Sequence, residues 1–155
     1  MLRVGLISDT HGLLRPAALA FLRSSDFIVH GGDVGDPAIL QALRAIAPLT
    51  AVRGNNDRAD WARALPETAL LEVGALRIRV VHDLADPAFD AAASGAHVVV
   101  SGHSHKPMVE QRDGVLHVNP GSAGPRRFRL PIAVGELIVE GASVSARIEL
   151  LEEPG

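Results

Sequence analysis

Five times along this chain a short apolar run stops abruptly at a polar motif. Residues 2–7 run into Ser8-Asp9-Thr10-His11, residues 27–30 into Gly31-Gly32-Asp33, and residues 49–52 into an Arg followed by Gly54-Asn55-Asn56-Asp57. Residues 76–81 lead to His82-Asp83, and 96–101 to Gly102-His103-Ser104-His105. Apolar runs this short, bounded by turn residues, read as buried strands. Helical segments separate the first three: 16–23, with Pro16 in its first turn, and 37–46, with Asp36 placed to cap it. Alternating strand and helix argues for parallel pairing and an α/β fold. In an open α/β sheet, ligands bind beyond the carboxyl ends of the strands. Five polar strand ends are therefore expected to converge on one site.

After Asp57 the helical signal weakens. Residues 69–73 and 76–82 flank Gly74-Ala75 as a hairpin-like pair, and 87–94 reads as a helix. Further strands are expected over 108–111, 115–118, 132–139 and 144–151, with turns at Asp113-Gly114 and Glu140-Gly141. The expected architecture is a two-sheet α/β sandwich of mixed parallel and antiparallel strands, in a single domain over 1–155.

A chain of 155 residues can bury about two-thirds of its unfolded surface, so neither metal nor disulfide is needed merely to fold it. With no cysteine, disulfides, thiolate metal sites and cysteine nucleophiles are excluded, and any metal site is pushed toward imidazole and carboxylate. The net charge of -3 provides no basic stripe for a long nucleic acid, although Arg126, Arg127 and Arg129 cluster locally. Anionic substrates are not excluded, because bound divalent cations invert the local sign. No stretch of 18 apolar residues occurs and the first apolar run is too short for a signal peptide, so no membrane partner and a cytoplasmic location are expected. The phosphate-binding loop, nucleophile elbow and dinucleotide fingerprint motifs are all missing.

The polar motifs suit transition metals, which neutral imidazole and carboxylate bind well. Asp9 and His11, like His103 and His105, are two residues apart. In extended backbone such pairs face one side, which would present two ligands to one cavity.

In order and content the five motifs resemble the signature of calcineurin-like metallophosphoesterases: D-x-H, G-D, G-N-x-D/E, H and G-H-x-H. Asn119-Pro120-Gly121-Ser122, followed by Pro125-Arg126, is similar to the small YfcE-like phosphodiesterases of bacteria and archaea. The resemblance covers roughly residues 1–127. It implies a four-layer α/β/β/α fold and two divalent transition-metal ions, with manganese the first choice and iron, nickel, cobalt or zinc open. One ion would take Asp9, His11 and His105, the other Asn55, His82 and His103, with Asp33 bridging. Such ions lie about 3.5–4 Å apart and activate a water for in-line attack on phosphorus. Asp33 and Asn56 are the implied catalytic residues. Asn56 and Arg126 are the candidates for holding the substrate, a small phosphodiester.

Two positions depart from the pattern. Many members carry His where Asn56 stands, and Asn cannot act as a general acid, though the YfcE-like branch commonly lacks this His as well. Asp83 stands where His-Gly is more usual. Among other histidines, His30 is a candidate supporting residue, His97 a surface residue and His117 a packing residue. Phosphomonoester or nuclease chemistry on the same site remains open. So does a non-catalytic scaffold, the role for which the retromer's metallophosphoesterase-like subunit is the precedent. A homo-oligomer is open too.

Overall fold

The computed structural model describes residues 1–86, 89–91 and 94–151. The first sheet is built from β1 (Leu2–Ile7), β2 (Phe27–His30), β3 (Leu49–Ala51), β9 (Ala133–Glu140) and β10 (Ser143–Leu150), in the order β10-β9-β1-β2-β3. Helices α1 (Pro16–Leu22) and α2 (Pro37–Arg44) make the crossovers that keep β1, β2 and β3 parallel. Asp36 caps α2 as expected, accepting the Ala38 N–H at 2.9 Å. The second sheet runs β4 (Thr68–Val73), β5 (Leu76–Val81), β6 (Val98–Val100), β8 (Val115–Asn119) and β7 (Met108–Arg112). Here β5, β6 and β8 are parallel, and β4 and β7 flank them antiparallel.

Burial follows from this placement. Strands β1, β2 and β6 lie inside the stack and read as continuous apolar runs. Edge strands β4 and β10 alternate, because one face meets water. One core lies between the sheets, joining Val4, Leu6 and Val29 to Ile78, Val80, Val98 and Val118. A second packs α1 and α2 on the outer face of the first sheet, through Ile7, Ile28, Leu22, Leu40 and Leu43. Leu84, Phe89 and Ala91 cover Val81, Val99 and Val115 on the far side of the second sheet.

Strand boundaries deviate from the sequence reading by one or two residues, the usual imprecision at element ends. A short 3-10 turn over Asp60–Ala64 was not expected. The helix expected over 87–94 falls on 87, 88, 92 and 93, which lie outside the described residues. Residues 89–91 and 94, between and beside them, are not helical. No helix among the described residues is long and apolar enough to cross a membrane.

Candidate metal centre

The carboxyl ends of β1, β2, β3, β5 and β6 meet where the two sheets lie face to face. Each brings its polar motif, and the seven residues singled out by type and order come together there. Nε2 of His105 is 3.5 Å from Asp9 Oδ1 and 3.4 Å from Nε2 of His11. Asp9, His11 and His105 form one compact donor group, and Asp9, Asp33 and His82 form another, each with its donor atoms within 4.8 Å of one another. Asp33 Oδ2 lies 3.3 Å from His82 Nε2 and 3.7 Å from His11 Nε2. Asn55 Oδ1 is 2.9 Å from His82 Nε2 and 3.2 Å from His103 Nδ1.

The donor set fits cations. Ser8 donates its hydroxyl to Asp9 Oδ2 at 2.7 Å, and the His103 backbone N–H donates to the same oxygen at 3.1 Å. Asp9 Oδ1 is buried with no hydrogen-bond partner and faces the two imidazoles. A buried carboxylate oxygen left this way is costly unless a charge satisfies it. His82 is similar. Its Nδ1–H donates to the Gly31 carbonyl at 2.7 Å. That leaves the Nε2 lone pair of the neutral ring pointing at oxygens of Asn55 and Asp33. Lone pair against two oxygens is repulsive, and either a proton or a metal ion at that point relieves it.

The acid–base properties carry the same sign. For His82, burial works against the charged form, but the hydrogen bonds to Asp33 and Gly31 outweigh it and raise the pKa above 6.5. For Asp33, burial is overcome by His82 and by the Asn56 backbone N–H, which hold it at about 2. Burial of Asp9 is overcome by the nearby His105 imidazole and by the Ser8 hydroxyl, and its pKa is lowered. Burial lowers that of His11.

The local backbone differs from the extended form assumed for the spaced pairs. Asp9, His11, Asp33, His103 and His105 all have positive φ, between 46° and 70°. These are left-handed turns, where L-residues other than Gly pay roughly 1–2 kcal/mol each. Asp9 and His11 do share a donor group, but through a turn rather than a strand. His103 and His105 separate, one ring toward Asn55 and the other toward Asp9 and His11. Gly54 makes room for this. A Cβ there would lie 2.1 Å from Asp33 Oδ1 and 2.2 Å from the Asp33 nitrogen.

Asn56 and Arg126, chosen for substrate contact, sit differently from one another. Asn56 is exposed, but donates its backbone N–H to Asp33 Oδ1 at 2.9 Å and its side-chain amide to Asp33 Oδ2 at 3.2 Å. It positions the carboxylate and has no proton to give a leaving group. Arg126 is exposed on the 125–129 segment, yet it is Arg127 whose charge acts on His11. Asp83 carries an oxygen 3.7 Å from His103 Nε2, on the opposite side of that ring from Asn55.

Supporting residues form a buried shell, part of which sequence reasoning missed. Asp57, the last residue of its motif, accepts the N–H groups of Val34 and Gly35 at 3.2 Å and of Gly54 at 2.9 Å. It ties the Asp33 turn to the Asn55 turn. His30 is fully buried and does support the site. Its Nδ1 accepts the Gly32 N–H at 3.1 Å, so Nε2 carries the proton and donates to Thr10 Oγ1 at 3.0 Å; Thr10 in turn donates to the Val34 carbonyl. Asn119 donates to the Gly102 carbonyl and to Ser104 Oγ, and Ser122 donates to the Asp9 carbonyl. The Asn-Pro-Gly-Ser segment thus braces two site loops. His97 is exposed and His117 is packed in β8, as expected. A cleft of about 650 Å³ opens beside Asn55 and His82, flanked by Arg53, Arg58 and Arg63.

Comparison with known proteins shows the family and the fold. Residues 2–140 match the model of the calcineurin-like phosphoesterase superfamily domain. A probable metallophosphoesterase of Methanothermobacter thermautotrophicus is 31% identical, over 94% of this chain and 90% of the relative. Vps29 of Chaetomium thermophilum superposes with a TM-score of 0.84 at 22% identity, covering 99% of this chain and 91% of that one. Yfce, a phosphoesterase from E. coli, gives 0.68 at 26% identity, covering 88% of each chain. The mixed two-sheet fold is that of metallophosphoesterase structures, and the chain belongs to the calcineurin-like phosphoesterase superfamily.

Proposed function

We propose that this protein is a phosphodiesterase that hydrolyses a small phosphodiester at a centre of two divalent metal ions, manganese first among them. Asp9, His11 and His105 would hold one ion and Asn55, His82 and His103 the other, with Asp33 within reach of both sets. The observation that carries this reading is Asp33 Oδ2, which lies within 3.7 Å of one imidazole from each set. When bound, such a pair polarises the phosphoryl oxygens and activates a water for attack on phosphorus.

The chain's own residues orient and charge this centre. Ser8 and the His103 N–H hold Asp9 Oδ2, so that only Oδ1 is left toward His11 and His105. Gly31 sets the His82 tautomer, and Asn56 grips both oxygens of Asp33. Hydrolysis adds water across the P–O bond, releasing a phosphomonoester and an alcohol. No imidazole stands at position 56, so a leaving group of low basicity, or a proton from solvent, completes the step. The cleft beside Asn55 and His82 has the size of a small-molecule site. The chain acts as one domain, in the cytoplasm.

The test combines metal content with turnover. Asp33→Ala is expected to lose both bound manganese, measured by mass spectrometry of the metals, and hydrolysis of a p-nitrophenyl diester. Full activity in a metal-free Asp33→Ala variant sinks the reading. The fold likeness to Vps29 keeps a binding role as the competing outcome. It would be indicated by metal-loaded protein that hydrolyses neither diesters nor monoesters.

A further inference from the structure

We infer that the turn from Arg127 to Leu130, together with Lys106, is a substrate platform: Phe128 stacks on a nucleobase while Lys106, Arg127 and Arg129 hold phosphate, making the substrate a nucleotidyl phosphodiester. The inference rests on the phosphodiesterase reading above and deepens it.

The backbone singles out Phe128. Seven non-glycine residues among those described have positive φ. Five belong to the donor cluster, and Asp113 opens the Asp113-Gly114 turn between β7 and β8. Phe128, at φ 54°, is the seventh. A bulky aromatic residue is out of place in that conformation, and nothing in the core rewards it, because Phe128 is 94% exposed. Strain of this kind persists where the surroundings impose it, and it concentrates at ligand sites. The surroundings here are the arms of the site itself. The Leu130 N–H closes the turn on the Arg127 carbonyl at 3.1 Å, and the Ala133 N–H donates to the Ser122 carbonyl. Ser122 in turn donates to the Asp9 carbonyl.

Charge points to the ligand. Lys106 is the only lysine of the chain. It is exposed, as are Arg127 and Arg129. Of the other exposed arginines, Arg63, Arg112 and Arg147 each sit beside a carboxylate. Among the described residues, no carboxylate oxygen lies within 4.0 Å of the charged groups of Lys106, Arg127 or Arg129. Phe128, Arg129, Leu130, Lys106 and Ser104 line one depression of about 760 Å³. Ser104 stands between His103 and His105, so the depression adjoins the metal centre. An exposed ring among unpaired cations is the arrangement that takes a base by stacking and its phosphates by charge. An acidic peptide would satisfy the cations but has no general use for the ring, and a long nucleic acid would need a basic stripe beyond this patch.

Two measurements on the manganese-loaded protein test the platform. Hydrolysis of thymidine 5′-(p-nitrophenyl phosphate) is compared with that of methyl p-nitrophenyl phosphate, which has no base. Phe128→Gly removes the ring and suits the positive φ, so the turn is kept. We expect the ratio of kcat/KM for the two esters to fall about tenfold, chiefly through KM, and Phe128→Trp to restore it. Thermal stability should not fall, which separates a ligand role from a structural one. The second measurement needs no turnover: the fluorescence of the Phe128→Trp variant, titrated with thymidine monophosphate, should be quenched, and added salt should weaken the binding. An unchanged ratio overturns the platform, and so does unquenched fluorescence, the result expected if the patch docks a protein instead. If neither ester is hydrolysed by the unaltered protein, the phosphodiesterase reading has failed. The quenching titration then decides the platform alone.

Discussion

Asp33 Oδ2 stands 3.3 Å from His82 Nε2, and the other nitrogen of that ring is committed to the Gly31 carbonyl. A neutral His82 therefore turns a lone pair toward a carboxylate. Replacing Asp33 by Asn keeps the shape and removes the charge that the proposed pair of cations would need. Asp33→Asn is expected to bind fewer than two metal ions per chain and to lose roughly 100-fold or more in turnover, beyond the 10–100-fold typical of losing a partner one shell out. Metal stoichiometry by mass spectrometry checks the first part, and diester hydrolysis the second.

The same pair sets a pH dependence for metal uptake. His82 binds its proton more tightly in the folded, metal-free protein than in the unfolded chain, since its pKa is raised above 6.5. Stability from that proton is fully present below pH 6.5 and is lost as pH rises through the folded value. A metal ion needs the nitrogen that the proton occupies. Apparent manganese affinity should therefore rise with pH through that value, with proton release on binding. Calorimetry in two buffers of different ionisation enthalpy measures the proton directly. Affinity independent of pH between 6 and 8 would argue against His82 as a ligand.

His30 gives a stability effect of opposite sign. It is fully buried, and burial lowers its pKa to about 4. Protonating Nδ1 would break the bond from the Gly32 N–H. The unfolded chain takes up this proton near pH 6.5 and the folded one only near 4. Stability should therefore fall as pH drops through that window, by about 3 kcal/mol at roughly 1.4 kcal/mol per pH unit. Nuclear magnetic resonance of the imidazole nitrogens should show a ring that is still neutral at pH 5. A ring that titrates near 6.5 contradicts the account.

Asp57 accepts three backbone N–H groups from two separate turns. Asp57→Asn leaves one acceptor oxygen and places an amide donor among donors. The expected loss is about 2 kcal/mol in urea denaturation, from buried N–H groups left unsatisfied. Metal binding should weaken as well, although Asp57 is outside the donor cluster, because the Asp33 and Asn55 turns lose their common anchor. Wild-type stability in this variant would show that the network is not needed.

Gly54 tests close packing at the same place. An added methyl would stand 2.1 Å from Asp33 Oδ1, and the nearest atoms include backbone that cannot swing aside. Gly54→Ala is expected to cost about 1–3 kcal/mol and to reduce metal content together with thermal stability. Unchanged metal content would mean that the Asp33 turn can move without losing its function.

The strands before each motif were legible because their apolar runs are short and end in turn residues, and the parallel order followed from the helices at α1 and α2. Asp36 was readable as a cap because its role is local. Asp57 and Ser8 were not assigned roles, since a buried carboxylate or hydroxyl that ties loops together carries no signal beyond its residue type. Asn56 was legible as a departure, but its grip on both oxygens of Asp33 was not. That contact joins turns from different strands, 23 residues apart. The spaced pairs were read as extended backbone, and the left-handed conformations at Asp9, His11, His103 and His105 overruled that. The N–H groups of Asp9 and His11 donate to the Gly32 and Asp33 carbonyls of the neighbouring turn, and the His103 N–H reaches Asp9 from the other sheet; such non-local contacts act against the local preference of L-residues.

By itself the amino-acid sequence determined which donors exist, in what order, and that each follows a buried strand. Hydrophobic periodicity and turn chemistry act over a few residues, so they can be read from a linear string. The family resemblance implied how the donors group, but it is the tertiary structure that brings them face to face: Asp33 between His11 and His82, Asn55 between His82 and His103, and His105 against Asp9. It also decided that one oxygen of Asp9 is tied up and the other left bare. These are distances between side chains up to about 95 positions apart in the chain, set by how two sheets stack, and no local rule carries that information.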